Sequence, residues 1–526
     1  MQPIEPPTQT LWVVHHRHTM PHWVAAVLVR VHALPGLSLR QLSVAELPPT
    51  RHHNTWNQLI NALDNLLFPA ADSASRAVAT STLPDDLFAQ RAHVEQLGHV
   101  TSTHAGDDWV LNATSLPDAD VAAALGAPVL SVACGESGGP PGLHESLEQA
   151  SHTALHVVRT PPGDIPAEVL ASATECTDPA SIGRTRNAAL WAGAELLRHT
   201  VEAWVDGKAG TVSQPWNAPR RRAPSAVDAL LRMPLHIHRG VTRKWRRRGA
   251  LRQWILLARE GAHTETGTAS EIDFGRWQRI LPPRDVFWAD PFPVERDGTR
   301  YVFIEEATFT PRRGHLSVLT LSADGQAEAC ATILKTPYHL SYPNVFRHGG
   351  EWYMMPESGE DKTLQIYRCT AWPDQWAWQQ NVLEGIAVYD GTLLEHGGRW
   401  WLFATVQHFE AASPNVFLHL WYADSPFGPW QPHAANPIVS DVRSARPAGQ
   451  FFEHEGVLYR PSQDCSTHYG HGLRINRVDQ LDLDGYRETA VTAHAPWAPD
   501  IDGVHTVNRA GAFAVADAIH WRGQAD

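Results

Sequence analysis

The second half of the chain repeats one short pattern, a turn glycine followed three residues later by an aromatic residue. Successive copies lie 52, 48 and 58 residues apart, a period typical of stacked or radial arrays. Each copy indicates a β-hairpin, so the repeat predicts the blades of a β-propeller. The copies are Gly298/Tyr301, Gly350/Tyr353, Gly398/Trp401 and Gly456/Tyr459.

Two further positions keep a fixed distance from this pattern and carry acidic residues in some copies. The position eight residues before the glycine holds Asp290, Tyr342, Asp390 and Ala448. The position four residues after the aromatic holds Glu305, Glu357, Thr405 and Gln463. Equivalent inner-strand positions ring the central channel of a propeller, so the carboxylates among these residues are expected to converge. Alternatively, acidic residues near strand ends cap turns or pair with arginines.

Converging carboxyl groups can form a carboxylate active site. Acid–base chemistry there needs one carboxyl group kept protonated by burial or a like-charged neighbour and another that is ionised. Asp290, Glu357 and Asp390 share the repeat register and are the candidate catalytic residues. The candidate substrate-binding residues are Glu305, Tyr342, Arg368, Arg443, Arg446, Gln463, Asp464, His468 and His505.

Arginines add positive charge to an otherwise acidic half of the chain. Arg443 and Arg446 lie in the segment RSARPAGQ, and Arg368 and Arg474 lie elsewhere in the repeats. A guanidinium group binds phosphate or carboxylate through two parallel hydrogen bonds, so a phosphorylated sugar donor is one expectation. Structural ion pairs with the channel carboxylates are the alternative.

Charge and composition exclude several classes of protein. Residues 271–526 hold 32 acidic and 20 basic side chains while residues 1–270 hold 24 and 23, so nearly all of the net charge of −13 lies on the repeat half. This excess argues against nucleic acid as a partner. No membrane-spanning run and no secretory signal are recognisable, so a cytoplasmic location is expected. The five cysteines lack CxxC spacing, which indicates reduced thiols, and neither a metal site nor a cofactor is predicted.

The first half alternates apolar strands with helical stretches, which predicts an α/β layer fold with a parallel sheet. Strands are expected at Leu11–His15, near Leu37–Val44, near Trp109–Asn112 and near Val129–Val132, with a helix from His22 to His32. A buried strand then runs into the Gly/Pro-rich segment GAPVLSVACGESGGPPGL at 126–143. Such a loop is either a ligand site at the end of a strand or a plain tight turn.

A basic segment separates the two halves. Residues 220–252 contain 11 basic residues and one acidic residue, interleaved with apolar side chains. This pattern is expected either of a peripheral contact with the inner face of a membrane or of a linker helix packed on the acidic propeller. The expected organisation is an α/β domain at 1–180, a helical connector at 181–270 and a propeller at 271–526.

The first half resembles the N-terminal domain of the formyltransferase family, which has a Rossmann-like fold. The residues that carry this resemblance, within 8–180, are the strand, the GGPPG loop and the following HESLEQASHTALHVVR. The resemblance implies a histidine near 131–135, where this chain reads Ser-Val-Ala-Cys-Gly, and a later acid that only Asp164 approximates. Formyl transfer needs a general acid or base at that position, so this domain is expected to have lost that chemistry.

The second half, residues 272–522, resembles the propeller at the N-terminus of plant glucosamine inositolphosphorylceramide transferases. The segments that carry the resemblance include WADPF, HLSYPNVF, YMMPESG, YDGTL, RSARPAGQ and DGVHTVN. The half is also similar, more remotely, to the five-bladed arabinanase, levansucrase and invertase superfamily. That similarity implies that Asp290 acts as base or nucleophile and Glu357 as general acid. In the second blade, where the superfamily has an aspartate, this chain has Tyr342 or Asn344. This difference argues against a straightforward glycosidase.

Together these features favour a glycosyl-transferring enzyme of surface glycan or glycolipid synthesis, with its active site in the propeller channel. Its expected partners are a phosphorylated sugar donor and a glycan or lipid-linked acceptor. A glycoside hydrolase of the furanosidase type is the first alternative. A glycan-binding scaffold that has lost its chemistry in both domains is the second.

Overall fold

The structure is a computed structural model. It describes residues 9–45, 74–94, 108–114, 116–135, 141–208, 214–216, 250–261, 272–322 and 325–523. The chain divides into two compact units, one formed by Met1–Val241 with Phe409–Ser413 and the other by Thr242–His408 with Pro414–Asp526. Most of the basic segment, up to residue 249, and residues 136–140 of the Gly/Pro-rich loop lie outside the described residues. None of the described helices is long and apolar enough to cross a membrane.

The first unit is built on an eight-stranded sheet. Its strands in spatial order are β10 (Gln214–Pro215), β9 (Glu168–Cys176), β8 (His152–Thr160), β7 (Val129–Cys134), β6 (Trp109–Asn112), β1 (Gln9–His16), β3 (Leu37–Val44) and β5 (Gln90–Val94). A separate two-stranded sheet pairs β2 (Thr19–Pro21) with β4 (Ala77–Ala79). The described helices are α1 (His22–Val31), α2 (Asp118–Leu125), α3 (Leu143–Glu148) and α4 (Ile182–Val205).

The sheet of the first unit is mixed, not wholly parallel as the sequence predicts. Strands β5, β3, β1, β6 and β7 run parallel, whereas β8, β9 and β10 are antiparallel to their neighbours. The segment between β7 and β8 includes the six-residue helix α3, and β8 returns antiparallel to β7. The fold is therefore α/β with an antiparallel edge, and the formyltransferase resemblance stays a prediction.

The second unit is a five-bladed β-propeller. The first blade is β13 (Val286–Arg296), β14 (Thr299–Thr308), β15 (Gly314–Leu321) and β16 (Ala327–Leu334). The second is β17 (Ser341–His348), β18 (Glu351–Ser358), β19 (Thr363–Ala371) and β20 (Gln375–Glu384). The third is β21 (Ala387–His396), β22 (Arg399–Gln407), β23 (Phe417–Ala423), β24 (Gln431–Pro432) and β25 (Val439–Ser440). The fourth is β26 (Phe452–His454), β27 (Val457–Asp464), β28 (Gly472–Leu481) and β29 (Tyr486–His494).

The fifth blade combines strands from both ends of the propeller segment. Its strands are β11 (Leu251–Arg259), β12 (Gln278–Ile280), β30 (Ile501–Gly503), β31 (Val507–Ala510) and β32 (Phe513–Arg522). Strand β11 pairs with β32 along its whole length, from Leu251 opposite Arg522 to Arg259 opposite Ala514. Residues 251–259 fall within the predicted connector, yet they supply a strand of this blade. The pairing closes the ring without leaving a free strand edge between the two ends.

Buried apolar side chains fill the space between neighbouring blades. Phe292 and Phe303 of the first blade pack with Tyr342 and Met354 of the second, and all four are almost completely buried. Aromatic side chains bury large areas, so these contacts stabilise the ring and fix each inner strand against its neighbours. The inner strands therefore hold the channel residues in fixed positions.

Candidate active site

The inner strands of the first three blades are interrupted at the same point. Pairing registers shift between Ala289 and Phe292, between Ser341 and Asn344, and between Tyr389 and Thr392. At each interruption a residue that is not glycine has left-handed backbone: Asp290 at φ 50°, Tyr342 at φ 45° and Asp390 at φ 53°. Left-handed backbone is unfavourable for residues with a Cβ, and β-bulges of this kind redirect side chains beside active sites. Three blades thus aim one polar side chain each into the channel.

In the fourth blade Ala448 holds the equivalent repeat position, and a glycine with unusual backbone follows it. Gly449 has φ 127°, and a Cβ there would collide with the backbone oxygen of Val507. Its amide N–H donates to the hydroxyl oxygen of Tyr342 at 2.7 Å. Glycine is required because the two chains approach too closely for any side chain.

Arg446 holds two of the predicted catalytic carboxylates together. Its Nε lies 2.6 Å from Asp390 Oδ2, and its Nη2 lies 3.1 Å from Asp390 Oδ1 and 3.2 Å from Glu357 Oε2. Nη1 donates to Asn415 at 3.0 Å. Gln463 Nε2 adds a hydrogen bond of 2.7 Å to Asp390 Oδ2. One buried guanidinium group therefore compensates two buried carboxyl groups.

Asp290, the third predicted catalytic residue, belongs to a second buried cluster. The hydroxyl of Thr506 donates to its Oδ1 at 2.8 Å, and His505 Nε2 lies 3.8 Å from the same oxygen. His505 Nδ1 in turn lies 2.6 Å from Asp517 Oδ2. Asp517 also accepts the backbone N–H of Asp290 at 2.9 Å, so it holds both the histidine and the bulge in place. The imidazole lies between two carboxylates, as Arg446 does.

Burial and mutual repulsion give the channel carboxyl groups unequal pKa values. Burial, with the neighbouring Asp390 and Asp517, raises the pKa of Asp290 to about 6 against the opposing effect of His505. Burial and Asp290 raise the pKa of Glu305 to about 8. Burial and Asp390 raise the pKa of Glu357 well above its usual value, although Arg446 opposes them. Unequal pKa values of this kind separate a proton donor from a proton acceptor.

His505 is charged because of its partners. Burial alone lowers the pKa of this imidazole, but the carboxylates of Asp517 and Asp290 outweigh burial and raise it to about 9. A cation is therefore present beside Asp290 at neutral pH. The ligand atoms of Asp290, His505 and Asp517 lie within 4.8 Å of one another, a spacing that could hold a metal ion. Hydrogen bonds already engage both carboxylate oxygens of Asp517 and Nδ1 of His505. These hydrogen bonds account for the contacts of the three atoms in the structure.

Tyr342 forms the floor of the cluster. It is fully buried, and its hydroxyl lies 2.8 Å from Thr392 Oγ1 of the third blade while accepting the N–H of Gly449 from the fourth. A residue of the second blade that contacts the fourth must cross the channel. The aromatic ring therefore closes the channel beside the carboxylates.

An exposed aromatic ring lies over the same cluster. Tyr469 is 39% exposed as a residue, and the guanidinium carbon of Arg446 lies 5.0 Å from the centroid of its ring. His505 lies 5.4 Å from Tyr469 and stacks on Trp254 at 4.0 Å. Tyr389 covers the other approach to Arg446 at 5.2 Å. Exposed tyrosines beside buried polar groups are suited to stacking on sugar rings.

The structure brings together most of the predicted site residues and separates the rest. The cluster contains Asp290, Glu305, Tyr342, Glu357, Asp390, Arg446, Gln463 and His505. Arg368 is exposed on the third strand of the second blade. Arg443 bonds Asp441 at 2.7 Å, Asp464 bonds Arg474 at 2.9 Å, and His468 lies 3.8 Å from Asp502. Among the contacts described, Arg443, Asp464 and His468 thus have partners other than the channel carboxylates, and Arg368 faces solvent.

Asp517, Thr506 and Trp254 belong to the site but are missing from the sequence prediction. A signal for Asp517 exists, since it follows the aromatic Phe513 by four residues, as Glu305 follows Tyr301. The fifth blade has only one residue between its turn glycine, Gly511, and that aromatic, so the repeat spacing conceals it. Trp254 enters the cluster only because β11 joins the fifth blade.

The fold and the site define a class of protein, a five-bladed propeller with buried carboxyl groups from several blades at its channel. Residues 282–499 match the family model described as glucosamine inositolphosphorylceramide transferase 1, N-terminal. The predicted resemblance of the second half to that family is therefore confirmed over these residues.

Curated relatives match the same half of the chain. Glucosamine inositolphosphorylceramide transferase 1 of Oryza sativa subsp. japonica is 38% identical over 208 residues, which cover 39% of this chain and 28% of that protein. The protein of the same name from Arabidopsis thaliana is 36% identical over 208 residues, covering 39% of this chain and 27% of that protein. The match thus spans little more than a quarter of the length of these relatives.

Solved structures of carbohydrate-active enzymes are also similar. A family 117 glycoside hydrolase from the marine bacterium Zobellia galactanivorans matches with a TM-score of 0.33 and 12% identity, covering 52% of this chain and 92% of that chain. A GH62 hydrolase in complex with xylotriose matches with a TM-score of 0.33 and 13% identity, covering 44% and 81%.

Proposed function

We propose that the propeller channel is the active site of a glycosyl-transferring enzyme, which moves a sugar from a donor to a glycan or glycolipid acceptor. The observation that carries the proposal is the convergence of buried carboxyl groups from different blades, with Asp390 and Glu357 bonded to Arg446 and Asp290 beside His505. The pKa of Asp290 is raised to about 6, so this group is mostly ionised at neutral pH, and burial raises the pKa of Glu357 well above its usual value, which favours its protonated form. Glycosyl transfer needs one carboxyl group in each state.

The contacts suggest a role for each group. Asp290 accepts the proton of the acceptor hydroxyl or attacks the anomeric carbon, and Glu357 donates its proton to the departing oxygen. Arg446 bonds Asp390 and Glu357 at once, so it positions both carboxyl groups. The exposed ring of Tyr469 provides a stacking surface for the sugar.

The names of the relatives support a glycolipid acceptor, since they describe transferases acting on inositolphosphorylceramide. A phosphorylated donor is the second half of the proposal. Its phosphate would have to bind outside Arg446, because that guanidinium group is already bonded to Asp390, Glu357 and Asn415. Contact with a membrane through residues 220–252 and a cytoplasmic location are proposed with it, on the basic composition of that segment alone.

A glycoside hydrolase is the second candidate, and the same bonds of Arg446 favour it. Hydrolysis uses water as acceptor and needs no phosphate site, and the carboxyl groups would perform the same proton transfers.

For residues 1–180 we propose a formyltransferase-like fold without formyl-transfer chemistry, supported by the parallel strands β1, β3, β6 and β7 and by the lack of a histidine at 131–135.

The test compares the full chain with the variant Asp290→Asn and with the control Asp374→Asn, which replaces an exposed aspartate of the second blade. Each protein is incubated with nucleotide sugars or with aryl glycosides, and products are detected by mass spectrometry. Transfer from a nucleotide sugar to a glycolipid, lost in Asp290→Asn alone, supports the transferase. Release of the aryl group without any donor supports the hydrolase. Equal behaviour of all three proteins would show that the channel performs no such chemistry and would favour the scaffold.

A further inference from the structure

A small cavity lies between the fourth and fifth blades, away from the channel carboxyl groups. It has a volume of about 80 Å³, and Ile272, Gln450, Phe452, Asn508 and Arg509 contribute to its wall. We propose that this cavity binds a small oxyanion, a carboxylate or phosphate group, through the guanidinium group of Arg509. The proposal concerns a site separate from the proposed glycosyl transfer and does not depend on it.

Arg509 is a partly buried cation without a carboxylate partner among the described residues. Its guanidinium carbon lies 4.9 Å from the centroid of the Phe452 ring. Burial lowers its pKa, as expected when no anion compensates the charge. By contrast, Arg446 and Arg460 are buried with carboxylates at 2.6 Å. A cation that is withdrawn from water without an anion is costly, so the position favours binding of one.

The amide groups around the cavity are already satisfied by protein partners. Gln450 Nε2 donates to Asn344 Oδ1 at 3.3 Å and to the backbone oxygen of Val345 at 3.0 Å. Asn508 Nδ2 donates to the backbone oxygen of Pro291 at 2.9 Å, and its Oδ1 accepts the N–H of Gln450 at 2.7 Å. The recognition chemistry therefore comes from Arg509. Stacking on an aromatic face leaves the N–H edges of a guanidinium group available, and these match the two oxygens of a carboxylate or phosphate.

A layer of hydrogen-bonded groups separates the cavity from the carboxylate cluster. His505 lies in the segment between β30 and β31, and Arg509 lies four residues further on, within β31. Between them lie the contact of Gly449 N–H with the Tyr342 hydroxyl and the bond of Gln450 N–H to Asn508. An anion bound at Arg509 would therefore be held apart from Asp290 and Glu357.

The experiment uses the full chain and three variants, Arg509→Gln, Arg509→Lys and the control Arg368→Gln, in which an exposed arginine is replaced. Binding of inorganic phosphate and of acetate is measured by titration calorimetry and by thermal shift, with sodium chloride at equal ionic strength as reference. We expect at least one of the two anions to bind the wild type and Arg368→Gln equally. Arg509→Gln should weaken that binding at least tenfold. Arg509→Lys should bind with intermediate affinity, because it keeps the positive charge but lacks the parallel N–H donors of a guanidinium group.

The two anions distinguish the source of the oxyanion, since preference for acetate indicates a carboxylate and preference for phosphate indicates a phosphorylated ligand. Arg509→Gln should fold normally, because it removes an uncompensated charge, and its melting temperature without anion checks this. Binding of neither anion to the wild type, or equal binding to Arg509→Gln, would overturn the proposal. Neither result bears on glycosyl transfer, which is measured separately.

Discussion

Arg446 and Asp390 form a buried ion pair with two parallel contacts, Nε to Oδ2 at 2.6 Å and Nη2 to Oδ1 at 3.1 Å. The same Nη2 reaches Glu357 at 3.2 Å, so one cation links the second strand of the second blade to the inner strand of the third. Pairing of this kind lets acidic residues remain at the centre of a propeller, where their charges would otherwise be uncompensated. It also assigns to Arg446 a positioning role that the sequence leaves open between phosphate binding and ion pairing.

Replacement of Arg446 by Met is expected to destabilise the propeller by about 3–5 kcal/mol, because it leaves the buried Asp390 without the cation of its ion pair and removes a hydrogen bond to Glu357. The free energy of unfolding is measured by urea denaturation at pH 7. The control is Arg443→Met, which removes a more exposed pair with Asp441 and should cost less than about 1 kcal/mol. Equal, small losses in both variants would contradict the assigned role of Arg446.

The pH dependence of activity should report Asp290. If Asp290 acts as base or nucleophile, kcat/KM falls as the pH drops through about 6, where its carboxylate becomes protonated. Burial raises the pKa of Glu357 well above its usual value, which favours the protonated form of this group. Asp290→Asn should lower kcat/KM by roughly 10²–10⁴-fold. A profile that does not change between pH 5 and pH 8 would contradict this assignment.

Tyr342→Phe tests the floor of the channel. The variant keeps the ring but leaves the Gly449 N–H without its acceptor, so we expect a loss of about 1–3 kcal/mol in unfolding free energy. Hydrogen exchange of the Gly449 amide, followed by mass spectrometry of peptides, should accelerate. The control Tyr422→Phe removes a hydroxyl whose bond to Gln431 is exposed, and it should change neither quantity.

The first unit offers a prediction independent of the propeller. Burial raises the pKa of Glu175 to about 8, although the N–H of Cys176 donates to its carboxyl group and opposes the shift. A folded-state pKa above the unfolded one means that this contribution to stability is complete below about pH 4 and is lost as the pH rises through about 8. Over that window the wild type should lose up to about 1.4 kcal/mol per pH unit relative to Glu175→Gln. The exposed Glu148→Gln serves as control, and parallel pH profiles of all three proteins would refute the shift.

The repeat made a large part of the site predictable. Asp290, Glu357 and Asp390 converge because residues at equal distances from equivalent turns occupy equivalent positions in a ring. The signal fails where a blade departs from the spacing, as with Asp517 after the shortened interval from Gly511 to Phe513. It also fails for residues such as Arg368, because the sequence shows that a residue is charged but not which edge of a blade it occupies.

Local patterns in the first unit predicted strands better than their pairing. The apolar runs at Leu37–Val44 and Trp109–Asn112 are strands with the predicted bounds. The antiparallel strands β8 and β9 were not predicted, since direction depends on the connection between strands and not on the composition of either one. Long-range pairing also determines where Leu251–Arg259 lies. The sequence predicts that this segment is part of a connector, but the segment forms a strand of the fifth blade.

The pairing of β11 with β32 has a consequence for biosynthesis. A ribosome makes the chain from the N-terminus, so β11 emerges long before its partner Phe513–Arg522. The first four blades can assemble as local hairpins during translation, whereas the ring closes only after its last strand has left the exit tunnel. Until then β11 exposes an apolar strand edge, which makes the nascent chain at this stage a natural client for chaperones.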